Sequence, residues 1–73
     1  MTLSELKQDA EAELLGSFSN NNPHINKVEA MGLRSGAKIV IRKIHGRNIV
    51  VQVKDLGVDL VIDKELAGML EVS

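Results

Sequence analysis

Two imidazoles, His24 and His45, and, among the 10 Asp and Glu, three carboxylates spaced four apart, Asp55, Asp59 and Asp63, are the side chains of this 73-residue chain whose types and spacing most suggest a metal site. Zinc and iron sites need about three or four protein ligands. Cysteine is absent, which removes thiolate ligands and disulfides together. His24 falls in the first turn of an expected helix and His45 in an expected hairpin loop, so both read as solvent-facing. The aspartates lie where strand alternation governs, with the end members in turns, so their spacing does not gather them. Serine hydroxyls come from Ser4, Ser17, Ser19, Ser35 and Ser73, none of them in a nucleophile-elbow pattern. There is no Gly-rich phosphate loop ending in Lys-Ser or Lys-Thr. A domain this small has little interior left for a pocket that tunes pKa values. The reading is a non-enzyme with no catalytic, cofactor-binding or metal residues and no cofactor.

Contact chemistry is better represented. Met31, Leu33, Arg34, Leu56 and Met69 stand at expected turns and are the candidate partner-docking residues. Methionine adapts to irregular surfaces, although Met31 and Leu33 could equally do no more than seal a helix onto a sheet. Only a contiguous exposed patch would mark an interface, since scattered apolar residues are ordinary. Lys38, Arg42, Lys43 and Arg47 form a local basic run, read as a solvated strand face. With 9 Lys plus Arg against 10 Asp plus Glu, the formal charge of -1 gives no field toward phosphates. Phe18 is the single aromatic, so the stacking platforms of single-strand binders are missing too.

These residues must be positioned by short elements packed on aliphatic side chains, because 44% of the chain is hydrophobic and only 1% aromatic. Seventy-three residues suit one domain, residues 1–73, with marginal stability. Leu3 and Leu6 suggest an opening helical turn, with Ser4 as its cap. Glu11 to Phe18 reads as a first strand on loose alternation of Ala12, Leu14 and Gly16. Asn20-Asn21-Asn22-Pro23 breaks it, with Asn22 as cap and Pro23 in the first helical position. Ile25, Val28 and Met31 then form a helical stripe closed by Gly32.

Alternation puts Ile39, Ile41 and Lys43 on one strand face and Val40, Arg42 and Ile44 on the other. His45-Gly46-Arg47-Asn48 is a tight reversal into Ile49, Val51 and Val53. Asp55-Leu56-Gly57 turns into Val58, Leu60 and Ile62. Asp63 caps a helical turn through Ala67, and Leu70 and Val72 close as an edge strand. Five short strands and a helix fit a mostly β fold: a small five-stranded barrel, with the helix after the first strand and a helical turn before the last. Edge strands could pair weakly between copies, above all Ile49 to Val53 if exposed. No apolar run approaches the ~20 residues of a membrane span. Met1-Thr2-Leu3-Ser4-Glu5 lacks the basic start of a signal peptide, so the cytoplasm is expected, without direct membrane insertion.

Four stretches resemble the ferrous iron transport protein A (FeoA) family: Thr2 to Lys7, Val28 to Ile39, Val51 to Gly57, and Leu60 to Val72. Met31-Gly32-Leu33 with Gly36 is the most specific, because it falls at the family's position between helix and strand. The resemblance implies an SH3-like barrel and a non-enzymatic accessory or adaptor of bacterial ferrous iron uptake. The implied partner is the cytoplasmic region of a ferrous iron permease, a G-protein-coupled membrane transporter that joins a G-protein domain to a membrane channel. The alternative is a stand-alone SH3-like interaction module in iron-responsive regulation, without the aromatic groove that polyproline binding needs. Three departures stand out. Gln8-Asp9 replaces a common Pro-Gly, so the first turn is expected to differ; the His45–Asn48 loop is short; and Asp59 and Asp63 lie where basic residues are frequent.

Overall fold

The computed structural model describes residues 1–17 and 23–73. The chain runs through a 3-10 turn (Leu3–Glu5), β1 (Glu11–Ser17), α1 (Pro23–Ala30), β2 (Lys38–His45), β3 (Asn48–Val53), β4 (Val58–Asp63), α2 (Lys64–Ala67) and β5 (Leu70–Val72). The strands form one antiparallel sheet in the order β4-β3-β2-β1-β5, curled into a half-barrel. Ile39, Ile41, Ile49, Val51, Val53, Leu60 and Ile62 fill its inside with Leu3, Leu14, Leu33, Leu70 and Val72. No polar or charged side chain is buried among the described residues. Among the described residues the buried core side chains are all aliphatic, in keeping with the composition.

The expected elements are present, with local corrections. Thr2, not Ser4, is the cap of the opening turn, and Glu5 reaches back to accept the Thr2 N–H at 2.8 Å. Phe18 and the Asn20–Asn22 break lie outside the described residues, as do the side chains of Ser17, His24 and Ile25. Simple alternation fails in β2. Ile41 pairs with Val51, but Lys43 already pairs with Val50, so Arg42 is the extra residue of a bulge. Beyond the bulge the faces exchange. Ile44 pairs with the buried Ile49 and packs on the core, while Lys43 turns outward beside Val50. Arg42 and Lys43 are therefore both exposed in succession.

β3 lies inside the sheet, paired with β2 and β4, so Ile49 to Val53 is not an edge. The edges are β4 and β5. Thr2 bridges to Glu71 beside β5, and Val72 N–H donates to the Met1 carbonyl at 2.9 Å. At the hairpin, Gly46 takes φ +60 in the first central position of a two-residue turn, as the twist of the flanking strands favours. Asp63 Oδ1 accepts the Leu66 N–H at 2.7 Å and starts α2, as its position before the helical turn implies.

The Gln8-Asp9 turn keeps the geometry that Pro-Gly supplies. Ala10 N–H closes on the Lys7 carbonyl at 3.1 Å, and Asp9 sits at φ +71. A β-turn with a positive φ in its third position favours glycine. Asp9 is instead held by its own N–H, which donates to the Ile41 carbonyl at 2.6 Å. Asp9→Gly should therefore raise stability by about 0.5–1 kcal/mol, and Asp9→Val lower it by about 1–2 kcal/mol, as read by urea denaturation.

Candidate docking surface

The corner after α1 is built by a Schellman arrangement. Leu33 N–H donates to the Val28 carbonyl at 2.9 Å and Gly32 N–H to the Glu29 carbonyl at 3.1 Å. The motif requires a left-handed residue at Gly32, which has φ +118. It turns Leu33 inward to full burial, in the same core cluster as the buried Val28. The chain then loops back to β1. Ser35 Oγ donates to the Leu15 carbonyl at 3.0 Å, and Gly36 N–H to the Leu14 carbonyl at 2.7 Å.

A second turn, Lys54 to Gly57, meets this corner. Lys54 N–H donates to the Lys38 carbonyl at 2.9 Å, and Gly57 N–H to the Val53 carbonyl at 2.8 Å. Lys54 Nζ also pairs with Glu11 Oε1 at 2.5 Å, tying the turn to the start of β1. Leu56 extends from this turn over Gly32. A Cβ placed on Gly32 would lie 2.7 Å from Leu56 Cδ1. Around this contact, Gly32, Arg34, Ser35, Ala37, Asp55 and Leu56 line an open groove of about 410 Å³.

The candidate residues divide accordingly. Arg34 and Leu56 come together on this groove, and Leu56 is 59% exposed. Met31 is 44% exposed and lines a neighbouring groove with β4, so the expected helical stripe is sealed by Val28 and not by Met31. Leu33 is a core residue: at 0% exposure it supports the corner from within and presents nothing to a partner. Met69 is half-buried against the core near α2 and lines neither groove. Asp55 and Ser35 also line the groove but are not among the docking candidates, which are mainly apolar side chains at turns. Val61 was legible in retrospect: it is the one apolar side chain on the β4 face that carries Asp59 and Asp63, and it is 67% exposed.

Among the described residues no three His, Cys, Asp or Glu side chains gather to hold a metal ion. His45 is exposed at the hairpin, Asp55 in the Lys54–Gly57 turn, and Asp59 and Asp63 on β4. Lys38, Arg42, Lys43 and Arg47 are exposed as well. No described helix is long and apolar enough to cross a membrane.

The FeoA domain family matches residues 1–73. The chain belongs to the FeoA family. Its SH3-like half-barrel is similar to the solution structure of the FeoA protein from Chlorobium tepidum, at 27% identity over 99% of this chain and 68% of that one, with a TM-score of 0.86. A crystal structure of an iron uptake regulatory protein (FeoA) is 29% identical over 99% of this chain and 92% of that one, with a TM-score of 0.82. A FeoA-like protein from Clostridium acetobutylicum, 20% identical over 100% and 84% of the two chains with a TM-score of 0.85, shares the fold. No curated protein matches the chain. FeoA domains are non-catalytic adaptor modules, and FeoA proteins serve bacterial ferrous iron uptake as accessory proteins.

The Lys54 ammonium holds the Glu11 carboxyl below its ordinary value, through the hydrogen bond first and the charge second. A depressed carboxylate stabilises the fold above its unfolded pKa, and that contribution is lost as pH falls through the lower folded value. In Lys54→Met the Glu11 carboxyl should return toward 4.5. An NMR titration of Glu11 reads this directly, and acid below about pH 4.5 should then no longer loosen the Lys54–Gly57 turn selectively.

Proposed function

We propose that residues 1–73 act as one FeoA-type domain, a cytoplasmic adaptor that docks on the cytoplasmic region of a ferrous iron permease and adjusts its assembly or activity. The observation that carries this reading is the groove at the Gly32 corner, where an exposed Leu56 stands beside Arg34 and Asp55 on a rigidly hydrogen-bonded frame. Arginine is enriched at the anchoring positions of protein interfaces, and here it stands beside an exposed apolar side chain. Leu56 would enter an apolar pocket of the permease domain, and Arg34 would pair with a carboxylate at its rim. Leu33, fully buried, fixes the corner beneath this contact. FeoA proteins generally partner with the ferrous iron permease, and one relative's name makes it an iron uptake regulatory protein. Both support docking as the mode of action.

Binding of this chain to the permease's cytoplasmic domain, measured calorimetrically and repeated with the full-length permease, tests the reading. Leu56→Asp and Arg34→Glu should each weaken binding by about tenfold or more. Both positions are exposed, so thermal unfolding should stay close to that of the parent chain. Absence of any interaction with the full-length permease, or parent-like binding by both variants, would overturn it.

A further inference from the structure

β4 ends the sheet, and among the described residues Val58–Asp63 pairs with β3 alone. Leu60 and Ile62 point inward at 5% and 4% exposure, so Asp59, Val61 and Asp63 share the outward side. α1 runs beside this edge. Lys27, Val28 and Met31 face Leu60 to Asp63 and Leu66 across a groove of about 270 Å³. An edge strand walled by a helix is the setting in which extended segments are captured by strand addition: backbone bonds give affinity, and alternate side chains give choice.

We infer that the β4 edge is a strand-addition site for an extended segment of a partner protein that carries Lys or Arg two residues to either side of an aliphatic residue. The chemistry follows from the three outward side chains. Val61, flanked by two carboxylates, is matched by an aliphatic residue opposite it. Asp59 and Asp63 lie about 13 Å apart along the strand, the span from residue i to i+4 of the added segment. Lys27, on the helix wall, repels cations turned toward it, so the basic side chains face the strand.

A second copy of this chain is a poor occupant. Antiparallel pairing of β4 with itself about Val61 sets Asp59 opposite Asp63 twice, and Val58–Asp63 contains no basic residue to offset them. This edge is separate from the groove at Leu56. The probe below contains no permease sequence, so its outcome is independent of permease docking.

The test titrates an acetylated, amidated peptide, Thr-Lys-Thr-Val-Thr-Lys-Thr, into the nitrogen-15-labelled full chain at low salt. Amide shifts should concentrate on Val58 to Asp63 and Met31, and should shrink as salt is added. The same peptide with Glu in place of Lys should not bind. Asp59→Lys combined with Val61→Lys should keep the parent melting temperature and weaken binding roughly fivefold or more. Should that double variant unfold early, Asp59→Lys alone carries the comparison. Four outcomes would overturn the inference: no shifts up to about 5 mM peptide, shifts centred elsewhere, equal binding of the Glu peptide, or dimers formed through β4 without peptide.

Discussion

The absence of a side chain at Gly32 is the constraint on which the rest of the molecule turns. Its left-handed backbone ends α1, so that Leu33 drops into the core one residue after the helix stops. Its open face also receives Leu56 from a turn more than twenty residues further along. One missing methyl group therefore joins the end of the helix, the closure of the half-barrel and the shape of the groove outside it. Disulfides are unavailable to this chain and buried polar side chains are absent from the described core, so local backbone geometry and aliphatic packing carry that joint.

The bulge at Arg42 has a comparable reach. By inserting one residue it returns Ile44 to the core opposite Ile49 and turns two cations outward in succession. Without it, strict alternation would set Lys43 toward the interior. The sheet thereby stays apolar inside over the full length of β2 and charged outside, and β3 can be paired on both sides. Its edges are left to β5, covered in part by the opening residues, and to β4, which carries carboxylates.

Much of this was legible in the sequence because it depends on local rules. Asp63 before a helical turn, Gly46 in a two-residue reversal, Gly32 after a helical stripe, and the alternation of Val58 to Ile62 each have a local physical cause. The bulge was hidden, because an inserted residue leaves the run of β-branched side chains looking continuous. The order of strands was hidden as well, and so Ile49 to Val53 read as a potential edge although it lies in the middle. Of the candidate docking residues, Arg34 and Leu56 converge, while Leu33 is core and Met31 faces a different groove. Sequence marks a turn as a place for contact; it does not say which turns meet.

The dependence of the groove on Gly32 is tested most directly by the Leu56 methyl resonances in Gly32→Ala compared with Gly36→Ala. Both replacements strain a positive φ, +118 and +91, but a Cβ at Gly36 meets nothing within 4 Å. Leu56 is flexible enough at its end to move aside, so both chains should still fold with similar losses of stability. The dependence of the groove on Gly32 requires a marked displacement of the Leu56 methyl signals in Gly32→Ala alone. Methyl signals that stay in place there, or that shift equally in the two variants, would contradict it.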